Sequence, residues 1–169
     1  MALTEHQSIQ GVLTLELRDA EGALLEHRRV HNLITNDGKA LLARLLGGKL
    51  NGALQLVIGV GEGKPVDAND PKKGRVPATP GDRELGTLVS EAKAEMTEPV
   101  TNAKDQVTVN VKATVVNGGT ADVPLALTEA GILVRIGADT KGVLFNHVTF
   151  PVINKGANTS LLLSWDLTF

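Results

Sequence analysis

The sequence contains no cysteine and no tyrosine, and its aromatics amount to three phenylalanines and one tryptophan in 169 residues. Without cysteine there is no disulfide frame, no thiolate zinc site and no cysteine nucleophile, a composition that suits folding in a reducing cytoplasm. So few rings count against a sugar-binding platform or a single-strand nucleic-acid groove, both of which need exposed aromatic faces. No run reaches the ~18 consecutive apolar residues of a membrane helix. No charged start leads into an apolar stretch of the secretion-signal kind either. The formal net charge of −2 gives no general attraction to phosphate backbones or anionic lipids. Neither a nucleic-acid nor a membrane partner is expected.

What is present is aliphatic. A hydrophobic content of 42% with 21% charged residues is that of a globular chain, long enough to bury one core, and residues 1–169 read as a single domain. One stretch, Asn32–Gly48, has helical character, with Leu41, Leu42, Leu45 and Leu46 on one stripe. Thr35, Asn36 and Asp37 precede it as N-cap candidates, and Gly47-Gly48 supplies the stop. So short a helix is marginal alone, so its leucines are expected to pack on the strand faces of Val107–Val115 and Leu161–Phe169.

The rest reads as strands and turns. Residues 8–32 form an N-terminal hairpin about the turn Asp19-Ala20-Glu21-Gly22. Leu54–Val60, Gln106–Val116, Leu125–Ile136, Val143–Phe150 and Ser160–Phe169 follow as strands, with a turn at 117–119. Leu85–Glu91 fits either a helical turn or a strand edge. Short strands, glycine-rich turns and one helix predict a mainly β fold, an antiparallel β-sandwich with one short α-helix packed on it. Lys64–Asp82, punctuated by Pro65, Pro71, Pro77 and Pro80, predicts a long irregular loop. It has little apolar area to bury in its own chain, so any order is expected to come from a neighbouring subunit. Ser160–Phe169, carrying only Asp166 as charge, would be a poorly protected edge strand and invites pairing with a second copy.

Four patterns invite chemistry. Gly59–Lys64, GVGEGK, is one residue short of a phosphate loop, and Pro65 follows where a helix should begin, so it reads as a strand-end turn. Asp67, Asn69 and Asp70 start like a calcium loop, but Lys72 stands at the glycine position and no bidentate glutamate follows. His27 and His31 lie on one strand face about 13 Å apart, too far to share a metal, and His147 would have to arrive from elsewhere. Glu129, in the apolar run TEAGILV, is a candidate buried carboxylate with a raised pKa, or a group bonding backbone amides. No nucleophile elbow or paired carboxylate accompanies it. No catalytic, cofactor or metal residue is therefore assigned, and the chain is not expected to be an enzyme.

The order of short motifs carries a resemblance. Leu33-Ile34-Thr35-Asn36-Asp37-Gly38-Lys39 with Leu42-Ala43 comes first, then Leu56-Val57-Ile58-Gly59-Val60-Gly61, Arg83-Glu84-Leu85 and Val89-Ser90-Glu91. Val107–Ala113, Leu127-Thr128-Glu129-Ala130-Gly131-Ile132-Leu133, Gly142-Val143-Leu144-Phe145, Phe150-Pro151 and Trp165-Asp166-Leu167 complete it. This series resembles the tail-collar fibre domain and related small virion structural proteins of tailed phages and prophages, over residues 32–169. The resemblance implies a non-enzymatic structural protein of a phage or phage-like particle, in the tail, collar, neck or fibre-attachment region. Its expected partners are itself, as a homo-oligomer with a trimer first, and other virion proteins, within a virion assembled in the host cytoplasm. A capsid decoration protein stabilising the head, or a carbohydrate-binding β-sandwich touching the host surface, is the alternative.

Overall fold

A computed structural model describes residues 9–116 and 123–169; the expected turn at 117–119 and residues 1–7 lie outside the described residues. The chain is mainly β; the described residues form eleven strands and one α-helix in the order β1 (Gln10–Arg18), β2 (Leu24–Ile34), α1 (Asn36–Leu46), β3 (Leu54–Gly61), β4 (Leu88–Lys93), β5 (Glu95–Met96), β6 (Val100–Thr101), β7 (Val107–Val115), β8 (Leu125–Ile136), β9 (Val143–Leu144), β10 (Asn146–Lys155) and β11 (Ser160–Thr168). All pairings are antiparallel. They run β4-β3-β8-β10-β2-β1-β11-β7-β5, with β6 added to β7 and β9 to β8.

Two packed sheets result. In one, the strict alternation of β1, β7 and β11 sends Leu13, Leu15, Val111, Ala113, Leu161, Leu163 and Trp165 inward, Trp165 fully buried at the centre. The other contributes Ile58, Val60, Leu127, Ile132, Val148 and Ile153 to the same core. β8 is buried on both faces, because a second small cluster of Val57, Leu85, Leu133 and Leu144 covers its outside. Leu85 fits there because Gly59 and Gly131 face each other across β3 and β8. A Cβ on either glycine would lie 3.1–3.2 Å from the methyls of Leu85.

The sandwich is nearly closed at both sides by different means. On one side the segment 88–96 changes sheets. β4 pairs with β3, the Ala94 amide bonds the Leu56 carbonyl at 2.9 Å, and β5 pairs with β7 through Glu95–Lys112 and Met96–Val111. Leu85–Glu91, open in the sequence between helix and strand edge, thus splits into a loop followed by β4. On the other side β2 meets β10 only at Leu33–His147 and Ile34–Asn146. Farther along, the Arg28 guanidinium crosses the gap, donating to the Pro151 carbonyl and, at 3.1 Å, to that of Val152, while pairing with Glu26. The edge is thus blunted by inward-pointing charge.

Two expectations are overturned here. β11 is not an edge: it lies between β1 and β7, with nine and eight residue pairs respectively. The chain's two terminal strands pair with each other, which local sequence cannot show. The path instead ends at β4 and β5, and β2 and β10 face each other across a gap beyond their two paired residues. The helix leucines also divide. Thr35 caps α1 by accepting from the Gly38 amide at 2.9 Å, and Gly38 packs so tightly that a Cβ would sit 2.2 Å from the Phe145 carbonyl oxygen. Only Leu41 is buried, whereas Leu45 is 50% and Leu46 90% exposed. The helix closes one end of the sandwich instead of lying along a face, so its last turn overhangs the rim.

Candidate functional site

The described residues bring one buried cluster of ionisable groups together. His147, at the start of β10, stands between two carboxylates: Nδ1 is 2.7 Å from Asp82 Oδ2 and Nε2 is 3.0 Å from Glu129 Oε2. Glu129 is 1% exposed. Its Oε1 accepts from the amides of Gly63 (3.1 Å) and Thr87 (2.8 Å), and its Oε2 from that of Gly86 (2.9 Å). Asp82 accepts in addition from the Thr79 amide and hydroxyl at 2.8 and 2.7 Å. One imidazolium with two N–H donors serves both carboxylates.

The local chain explains each placement. A Cβ on Gly61 would lie 2.4 Å from both Glu129 Oε1 and the Thr87 carbonyl, so only glycine lets the end of β3 pass that close. Gly63 has φ +69, which turns its amide onto the carboxylate. The GVGEGK sequence thus ends a strand, and its glycine amide serves an internal carboxylate where a phosphate loop would hold an anion. Beside it, Thr128 donates its hydroxyl to the Glu62 carbonyl and Arg75 Nε donates to the same oxygen at 2.7 Å.

Of the two readings of Glu129, the bonding of backbone amides holds and the raised pKa does not. Burial pushes its pKa up, but the hydrogen bond from His147 and the amides of Thr87 and Gly86 outweigh burial and hold it below the ordinary glutamate value. Burial likewise opposes charge on His147, and its two carboxylate partners overcome this and raise its pKa. For Asp82 burial is again outweighed, by the Thr79 bonds and His147, and its pKa is lowered. The result is a charged carboxylate–imidazolium–carboxylate clamp. All four Glu129 lone pairs and both ring nitrogens are engaged, and the adjoining cavity of about 40 Å³, between Lys64, Pro77, Glu84 and the clamp, has room for a water and little more. The clamp ties the end of β3 and the Asp82–Thr87 segment to β8 and β10.

The Pro-rich loop 64–82 is irregular apart from one 3₁₀ turn, Pro71–Lys73, and a Pro65–Arg75 bridge. Its anchoring corrects the expectation of order from a neighbour. Val76 donates to the Lys64 carbonyl at 2.8 Å, the Asn36 amide donates to the Pro80 carbonyl at 2.7 Å, and Asp82 joins the clamp, all within one chain. Asp67 accepts from Lys73 Nζ at 2.8 Å and the Asn69 amide at 2.9 Å, and Asp70 accepts from the Lys72 amide. These side chains therefore staple the 3₁₀ turn. His27 and His31 are exposed on β2, opposite Glu16 and Val12.

The second feature lies at the helix end of the sandwich. A cavity of about 290 Å³ opens there between the sheets, and every residue lining it is apolar, with Leu41, Leu56, Val111, Ile132 and Phe145 in its walls. At its mouth Leu45, Leu54, Met96 and Phe169 are 50%, 46%, 56% and 42% exposed. Sequence reasoning missed Asp82 as a clamp member and missed this mouth; the overhang of α1 was its only trace, hidden in a leucine stripe that reads as core. In comparisons with family models, characterised proteins and solved structures, nothing matches the chain.

Proposed function

We propose that the protein is a structural, non-enzymatic subunit of a phage-like particle, binding copies of itself and other virion proteins in the tail, collar, neck or fibre-attachment region. The observation that carries the assembly part is the apolar mouth, where half-exposed Leu45, Leu54, Met96 and Phe169 surround an apolar cavity. Contiguous exposed apolar surface of this kind marks protein–protein contact. The particle itself is suggested by the motif order that resembles tail-collar fibre domains. Burial of Phe145, Phe150 and Trp165 leaves Phe169 as the one exposed ring, which disfavours the carbohydrate-binding alternative. The test is immunogold electron microscopy and mass spectrometry of particles purified from the source organism. The chain is expected in the particle fraction at a fixed stoichiometry, and its absence there would overturn the reading.

A further inference from the structure

A cavity of about 630 Å³ lies between the Pro-rich loop and β10, and it shares no lining residue with the clamp cavity or the apolar mouth. A break in strand pairing makes one wall. β10 pairs with β8 up to Thr149–Glu129 and again from Ile153–Leu127, so Phe150, Pro151 and Val152 stand opposite Thr128 alone. Extra residues of this kind bend a strand out of its ladder. Arg28 holds the bulge by donating to the carbonyls of Pro151 and Val152, so both oxygens are already engaged. The loop residues Lys72, Gly74 and Arg75 make the other wall. There the Val66 amide bonds the Gly74 carbonyl at 3.1 Å and the Val76 amide bonds that of Lys64 at 2.8 Å, on either side of the Pro65–Arg75 bridge. Both walls are therefore formed within one chain.

The side chains lining this cavity are cationic, hydroxyl-bearing or apolar, and none is a carboxylate. Lys73 is paired with Asp67, whereas the ammonium of its neighbour Lys72 makes no hydrogen bond or ion pair among the described residues. The hydroxyl of half-buried Thr149 makes none either. Arg75 is held with its stem against Gly63 and its Nε on the Glu62 carbonyl at 2.7 Å, so its charge is in place before any ligand arrives. The Thr128 hydroxyl is spent on that same carbonyl. Phe150, Pro151 and Val152 supply an apolar wall, with Val152 47% exposed. Small-molecule sites are typically cavities of about 300–1,000 Å³, mostly apolar, with a few polar groups that fix orientation. Guanidinium, ammonium and hydroxyl donors together suit a carboxylate or phosphate, whose ionised oxygens only accept. We propose that this cavity binds a small molecule in which such an oxyanion is joined to an apolar body. The anion sits against Lys72, Arg75 and the Thr149 hydroxyl, and the body lies on Phe150–Val152. This site is independent of the particle reading.

Amide NMR titration of the full chain at constant ionic strength tests this with four probes: phenyl phosphate, phenylacetate, inorganic phosphate and benzyl alcohol. The two aromatic anions are expected to shift the amides of Lys72–Arg75, Thr128, Thr149, Phe150 and Val152 with a Kd of roughly millimolar order, as befits so few atoms. Inorganic phosphate is expected to bind the same residues several-fold more weakly, and benzyl alcohol to give no saturable shift. Whichever aromatic anion binds more tightly supports the site and names its anion. Lys72→Glu, at an exposed position, is expected to weaken both roughly tenfold, and Thr149→Val roughly threefold. Val152→Asp, which keeps both cations, is expected to remove the advantage of phenyl phosphate over inorganic phosphate. If Lys72→Glu does not melt like the native protein, Lys72→Ser replaces it. Shifts scattered over lysines and arginines elsewhere, equal binding of phenyl and inorganic phosphate, or an affinity unchanged in the Lys72 variant would overturn the site. None of these results touches the particle reading, which the particle fractions test separately.

Discussion

Glu129→Gln is the most informative perturbation of the clamp. The carboxylate takes four hydrogen bonds, from Gly63, Thr87, Gly86 and His147, at 2.8–3.1 Å and 1% exposure. A glutamine of the same shape offers one oxygen, enough for the Gly63 and Thr87 amides. Its NH₂ group then points donors at the Gly86 amide and at Nε2 of a charged His147. Leaving two buried donors unmade costs about 1–3 kcal/mol each. Removing one partner from a buried ion pair costs about 3–5 kcal/mol on its own scale. The two descriptions overlap, so a total loss of ~3–5 kcal/mol is expected. Urea unfolding followed by tryptophan fluorescence reads it directly, because Trp165 is fully buried in the core, and an unchanged slope identifies a loss of stability. A loss under about 1 kcal/mol, the scale of an ordinary hydrogen bond, would mean that the clamp is not what holds the Asp82–Thr87 segment.

Four further outcomes are expected. Asp82 and Glu129 lie below their ordinary values of 3.8 and 4.5, so their contribution is present above those values and is lost as pH falls through the lower folded ones. His147 lies above its ordinary 6.5, so its contribution is full below 6.5 and is lost as pH rises through its folded value; unfolding midpoints should therefore peak between about pH 5 and 6.5, and His147→Gln should flatten the alkaline limb. Leu41→Ala should cost ~2–5 kcal/mol, whereas half-exposed Leu45→Ala should cost about 1 kcal/mol or less; equal losses in thermal melts would contradict the position of the helix. Gly38→Ala drives a methyl into the Phe145 carbonyl and should cost ~1–3 kcal/mol, with a normal melting temperature as the contrary result. Trypsin should cut first at exposed Lys72-Lys73, and faster in His147→Ala because the loop then opens locally at lower cost; equal rates would show that the clamp does not restrain the loop.

The mainly β sandwich and its single helix were legible because their causes are local. Alternation in Val107–Val115 and Leu161–Thr168 fixes which side chains point inward, and Thr35 and Gly48 mark the helix ends. Strand neighbours were not legible. Nothing in Ser160–Phe169 states that β1 and β7 will flank it, since pairing with strands so distant in sequence is a property of the whole sheet. The clamp failed to show for the same reason. Glu129 announced itself as a carboxylate in an apolar run, but its partners Asp82 and His147 are 47 and 18 residues away in sequence. The sign of its pKa followed from those partners and not from burial. The leucine stripe misled because periodicity reports amphipathicity and does not report whether the apolar side meets its own chain or another.

The antiparallel pairing of the two terminal strands has a mechanical consequence. Gln10 and Thr168 are opposite one another, so tension applied between these two residues would peel β1 from β11 one rung at a time, the weak geometry of a zipper. Tension between the hairpin tip and the mouth instead runs along the strands and loads the whole β1–β11 ladder at once in shear. Forced rupture is governed by the unfolding barrier along the pulled coordinate, so the same fold is compliant in one direction and stiff in the other.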